Sequence, residues 1–163
     1  MKRNEAGFSL IELLIVVAVI LIIAAIAIPS FMRSKMAANE ASAVQTVRDI
    51  NTAEAAYSIQ FGMGYSTNLS YLGGTGTTAT TTNALLLDPV VSTGSKDGFS
   101  FTYAVTGTDA SGNPAEYSVN GNPIATGSTG NRWFFSDQTS VIRYNNASPA
   151  AATDPAIIYN KVV

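Results

Sequence analysis

The sequence contains no cysteine and no histidine. The first absence removes disulfides, thiol nucleophiles and thiolate metal ligands. The second removes the commonest general base and the commonest zinc ligand. Charge is sparse, with 12% of residues charged and a formal net charge of −2. That is no basic footprint of the kind nucleic-acid-binding proteins carry, and no specific nucleic-acid site is read. Serines and threonines are plentiful, but no histidine is there to activate them, and Lys96 and Lys161 stand in no Ser-Lys motif. Asp88, Asp97, Asp109, Asp137 and Asp154 are scattered, without the alternating spacing of a calcium loop, and read as solvated turn residues. No catalytic set, metal site or cofactor motif is legible. These absences speak against an enzyme, including a membrane-anchored periplasmic one.

What the chain does have is one long apolar run. Of the 21 residues from Phe8 to Ile28, only Ser9 and Glu12 are polar, and Pro29 closes the run. A helix of that length spans about 30 Å, the thickness of a bilayer hydrocarbon core. The seven residues in front, MKRNEAG, are short and polar. A secretory signal places its apolar region before a small-residue cleavage site. Here the order is reversed, because Gly7 precedes the apolar region. Two readings follow from topology alone: an uncleaved N-terminal anchor, or a leader cut so that the apolar helix stays on the mature protein. Lys2 and Arg3 before the span and Arg33 and Lys35 after it leave orientation open.

The segment Gly7-Phe8-Ser9-Leu10-Ile11-Glu12, followed by an apolar run to Pro29, resembles the N-terminus of type IV pilins and type II secretion pseudopilins. The resemblance covers about the first 60 residues and is general beyond them. It implies cleavage between Gly7 and Phe8 by a prepilin peptidase, N-methylation of Phe8, and a single inner-membrane pass with the N-terminus inside and the C-terminus outside. It implies a homo-oligomeric helical filament, built by an inner-membrane assembly machinery and extracellular once assembled. Glu12 has two readings. It sits at headgroup level, where its charge costs little, or it meets a positive charge, since a carboxylate at the bilayer centre costs on the order of 3 kcal/mol. The resemblance implies the second, with Glu12 neutralising the Phe8 amine of a neighbouring subunit. Pro29 matches a proline of the family near which the helix partly melts in the filament. Leu21 stands where many relatives have glycine, a departure from the pattern.

Beyond Pro29 the helical period persists. Val44, Val47, Ile50, Tyr57 and Phe61 form one apolar stripe flanked by Arg48, Asp49 and Thr52, and Gly62 and Gly64 stop it. Such a stripe needs a sheet to cover it. Residues 65–72 read as a short connection, and residues 73–83 as a threonine-rich loop open to O-linked sugar. Asn68-Leu69-Ser70 and Asn146-Ala147-Ser148 fit a glycosylation sequon. Alternation at Phe99, Phe101, Tyr103 and Val105 predicts a half-buried strand. Residues 106–114 read as a turn, and Tyr117 and Val119 as a second short strand ended by Asn120-Gly121. Residues 132–136 and 140–144 read as a hairpin across 137–139. Ile157, Ile158 and Tyr159 are expected to pack back as an edge strand; without the disulfide many pilins use there, the tail is either held by packing alone or mobile.

The fold class expected is α+β and pilin-like: a long N-terminal helix, transmembrane in its first half and amphipathic in its second, packed on a small antiparallel sheet. The expected organisation is a cleaved leader (residues 1–7), a transmembrane and filament-core helix (8–29), an amphipathic helix on the head (30–62) and a globular sheet with its tail (63–163). The resemblance implies a structural pilus subunit serving adhesion, motility or DNA uptake. The alternative is the major pseudopilin of a type II secretion system. Major pseudopilins hold calcium in C-terminal loops, which would make Asp137 or Asp154 a ligand.

Overall fold

The structure is a computed structural model, and it describes residues 8–157. Helix α1 (Leu10–Phe61) is followed by two single-turn helices, α2 (Leu69–Leu72) and α3 (Pro89–Ser92). Five strands complete the chain: β1 (Ser95–Lys96), β2 (Phe99–Thr108), β3 (Pro114–Pro123), β4 (Trp133–Asp137) and β5 (Arg143–Asn145). They form one antiparallel sheet in the order β1-β2-β3-β4-β5. Sequential order with short connections is the simplest antiparallel topology. The chain divides into two compact units, Met1–Lys35 and Met36–Val163, and α1 contributes to both.

In the first unit α1 is apolar on every side from Leu13 to Ile28. It remains helical through Pro29, although proline has no N–H to give the preceding turn.

In the second unit, the head, α1 carries an apolar stripe of Ala43, Val44, Val47, Ile50, Ala53 and Tyr57, all buried. Phe61 packs partly buried against the same core. Gly62, at φ +66°, ends the helix where a side chain would be strained. The sheet covers the stripe with Phe99 and Phe101 from β2, Tyr117 and Val119 from β3, and Phe134 from β4. Alternation sets this face: Phe101, Gly121 and Phe134 are directly opposed across three strands, as are Tyr103, Val119 and Ser136. Leu69, Leu72, Leu87 and Val91 close one side of the core.

Several boundaries differ from the sequence reading. Strand β3 runs straight through Asn120-Gly121, which was expected to end it. A Cβ on Gly121 would lie 3.2 Å from the Phe101 ring and 3.6 Å from the Phe134 Cβ. The glycine is therefore a strand position over which two aromatic side chains close, not a turn. The turn expected over 106–114 shrinks to 109–113, where Asp109 accepts from Ser111 N–H and Asn113 N–H and folds the loop by itself. The β4–β5 hairpin is wider than expected. Asp137 accepts from Thr139 N–H, Ser140 takes φ +60°, and pairing resumes only at Phe135 opposite Arg143. The 65–72 connection holds a helical turn, α2, which Asn68 caps by accepting from Ser70 N–H.

The tail packs back as expected as far as the structure describes it. Ile157 N–H donates to Ile142 O, Tyr144 N–H donates to Pro155 O, and Arg143 bridges Ala156 antiparallel. Ile158 and Tyr159 lie outside the described residues. Asp154 ties this segment down, accepting from Asn145 Nδ2 and Ala151 N–H, while its carbonyl accepts from Arg143.

Candidate assembly site on the N-terminal helix

Helix α1 begins with a polar device in an otherwise apolar stretch. Glu12 N–H and Leu13 N–H donate to Ser9 O at 3.1 and 3.3 Å. In return the Glu12 carboxylate reaches back and accepts from Ser9 N–H at 3.0 Å. This is the return arm of a capping box, a glutamate three residues into the helix satisfying the N–H of the capping residue. It sets a negative charge at the positive end of the helix dipole, next to the Phe8–Ser9 peptide. The Ser-x-x-Glu spacing of Ser9 and Glu12 is the local sequence signal of such a cap. Among the described residues no lysine or arginine pairs with Glu12. Phe8 is 82% exposed, Pro29 lies within α1, and Gly7 lies outside the described residues.

Around this cap the surface is uncovered hydrocarbon. Every leucine, isoleucine and valine from Leu10 to Ile28 is between 45% and 81% exposed. A helix apolar on all sides is ordinarily a buried helix or a membrane span. Helix α1 is long and apolar enough to cross a membrane.

Residues 2–28 match the family model described as the prokaryotic N-terminal methylation motif. The chain carries the leader motif of type IV pilin and pseudopilin precursors. The motif ends at the last residue before Pro29 and takes in Gly7, Phe8 and Glu12. It belongs to structural subunits rather than to enzymes. The long apolar helix and five-stranded antiparallel sheet are the α+β, pilin-like arrangement that accompanies it. A class III leader with an apolar helix fits a membrane-anchored pilin. No curated protein and no solved structure matches the chain.

The head holds polar groups that the sequence reading left out. Glu40, Asn51 and Glu54 are buried on the same face as the apolar stripe. Their spacing announces it: 40, 44, 47, 51 and 54 follow one another at three and four residues. Glu40 accepts from Arg132 Nε and from Asn131 N–H, each at 2.7 Å. Asn51 accepts from Tyr117 Oη at 3.0 Å and donates to Ser136 Oγ at 2.8 Å. Glu54 accepts from Ser66 N–H at 2.8 Å and faces Ser66 Oγ at 2.5 Å. Burial pushes the Glu54 carboxyl above the usual carboxylate range, against the hydrogen bonds from Ser66 and Tyr103. These groups tie α1 to the sheet and to the loop after it, and none is paired with a nucleophile in a cleft. A recess of about 520 Å³ beside Arg48, Thr52 and Ile142 likewise gathers no acid–base pair. Asp137 and Asp154 each organise their own turn. No group of three or more metal-binding side chains occurs among the described residues.

Proposed function

We propose that the protein is a structural pilin, assembled into a type IV pilus by lateral packing of its N-terminal helices. The observation that carries this reading is an apolar helix surface left uncovered over the whole stretch from Leu10 to Ile28, with Glu12 as its only acid. Before assembly, lipid covers that surface; afterwards, copies of the same helix do. Lipid is as apolar as a helix bundle, so hydrophobic burial cannot drive the exchange, and close packing and a charge pairing must. Glu12 supplies the acid of that pair. The amine of a processed Phe8 supplies the base, and methylation keeps its charge. In this account Gly7 and Phe8 flank the peptide bond cut by a prepilin peptidase, and an inner-membrane machinery extracts the subunit. Residues 8–29 form the filament core, 30–62 carry the head, and 63–163 form the outer surface. The filament serves adhesion, motility or DNA uptake.

The test is mass analysis of filaments sheared from cells at native expression, alongside a Glu12→Val variant. A shear fraction dominated by a chain beginning at methylated Phe8, with Glu12→Val inserted in the membrane but absent from filaments, supports the proposal. Glu12→Val filaments at wild-type yield refute the charge pairing. A processed chain abundant in membranes and missing from the shear fraction refutes the pilus and leaves a secretion pseudopilin.

A further inference from the structure

Glu54 has 0% exposure, the deepest burial of any charged side chain among the described residues. Its two oxygens meet Ser66, through the N–H at 2.8 Å and the hydroxyl at 2.5 Å, and Tyr103 adds a hydrogen bond from β2. Ser66 is a junction. Its hydroxyl lies 3.2 Å from Asn68 O, and its carbonyl accepts from Tyr103 Oη at 2.8 Å. Asn68 caps α2, and its carbonyl also accepts from Tyr71 N–H at 3.0 Å. One serine thus joins α1, β2 and the start of α2.

The groups facing Glu54 are Tyr57 on α1, Tyr103 on β2 and Tyr117 on β3, all neutral, each pushed further toward the protonated form by burial and by the Glu54 charge. Beyond them Asp137 on β4 acts on Tyr117 and Tyr71 acts on Tyr57. No cation is among the influences on Glu54. A carboxylate here is surrounded by dipoles alone, and a serine hydroxyl carries only one proton to give.

We propose that Glu54 and Ser66 form a proton-operated latch between α1 and the 62–72 connection. With a proton on Glu54, its Oε1–H donates to Ser66 Oγ, and the Ser66 hydroxyl donates on to Asn68 O. Every group in that chain is satisfied. When the proton leaves for solvent, the Ser66 hydroxyl turns back to the carboxylate, Asn68 O keeps only Tyr71 N–H, and an unpaired charge remains among three tyrosines. The connection is therefore tightest in acid and loosens as pH rises through the Glu54 titration. This use of Glu54 is independent of the filament reading, because every residue in it belongs to the head.

The test uses the full chain in detergent micelles. The Glu54 carboxyl is followed by carbon NMR over about pH 4 to 8, and hydrogen-exchange protection of the Ser66 and Tyr71 amides over the same range, in wild type, Glu54→Gln and Glu40→Gln. The expected result is a Glu54 midpoint above that of an ordinary glutamate. Protection of both amides falls with rising pH, about tenfold for each pH unit by which the midpoint is raised. Glu54→Gln, whose amide can donate to Ser66 Oγ permanently, removes that dependence, and Glu40→Gln keeps it. A Glu54 midpoint at the ordinary value overturns the latch even if Glu54→Gln does not fold. So does an unchanged pH dependence in Glu54→Gln.

Discussion

Replacing Arg132 by alanine tests how the helix and sheet of the head are held together. Arg132 Nε lies 2.7 Å from Glu40 Oε2, and the two side chains are 42% and 10% exposed. A fully exposed pair contributes at most about 1 kcal/mol. Breaking a fully buried pair from one side costs about 3–5 kcal/mol, because the abandoned charge stays desolvated. This pair is lopsided: the carboxylate is buried and the guanidinium is half in water. Arg132→Ala strands the buried partner, leaving Glu40 with only Asn131 N–H. It also removes the cation lying 5.7 Å over the Phe134 ring and 6.0 Å from the Tyr144 ring, worth about 0.5–1 kcal/mol. The expected loss is about 2–3 kcal/mol. Glu40→Gln strands the exposed partner, which water can solvate, and retains an acceptor for Asn131; its expected cost is about 1 kcal/mol. The double variant should cost less than the sum, by about 1 kcal/mol or more. Urea unfolding of the full chain in detergent measures all three. Trp133, the single tryptophan, reports from the next position in β4. If Arg132→Ala costs under about 0.5 kcal/mol, or no more than Glu40→Gln, the argument from unequal burial is refuted.

Three further outcomes follow from the same structure. Phe134→Ala removes a ring with 0% exposure from the centre of the core, and the urea midpoint should report a loss of about 3–5 kcal/mol. Gly64→Ala should cost more than about 2 kcal/mol, since the residue takes φ +76° and its new Cβ would meet Pro114 O at 2.1 Å; Gly112→Ala, with φ +86° and nothing within 4 Å, isolates the backbone part of that cost. The raised Glu54 titration gives a signed pH effect. The folded head holds this proton more tightly than the unfolded chain, so the contribution is complete below the ordinary glutamate value and is lost as pH rises through the folded value. Stability should fall across that window in wild type and not in Glu54→Gln. Asp109, held below the usual carboxylate range by its loop donors, gives the opposite slope at lower pH, so the two effects separate along the titration.

The sequence was most readable where one physical demand dominated. The apolar run has a single explanation, and Gly62 has a single use at the end of α1. The strands of the head were legible as alternation at Phe99, Phe101 and Tyr103, but their ends were not. Asn120-Gly121 carries the composition of a turn, but both residues pair with β2 and β4, and the Phe101 ring and the Phe134 Cβ close over Gly121. The Asp109 loop shows the reverse case: side-chain capping makes a five-residue turn where composition suggested a longer one. Buried polar residues were the largest omission. Glu40, Asn51 and Glu54 look like exposed helix residues when read for charge, and like core residues when read for spacing. Their partners, Arg132, Tyr117 and Ser66, are distant in sequence for two of the three, so no local pattern could supply them. At the N-terminus the Ser9–Glu12 cap was a local pattern, eclipsed by the stronger demand of placing a charge beside lipid.

The tail segment through Ile157 has a consequence for handling. It is closed onto β5 and the residue before it by two backbone hydrogen bonds and by the two that Arg143 and Asn145 give to Asp154, while Ala151 N–H bonds Asp154 within the segment. Such a clasp is indifferent to thiols and oxidants. The head needs no oxidising compartment to mature, and reducing agents leave it unchanged. Hydrogen bonds re-form without a redox partner, where a reduced disulfide needs an oxidant to close again. A chain that has dispensed with sulfur cross-links has exchanged permanence at this edge for repair without an enzyme.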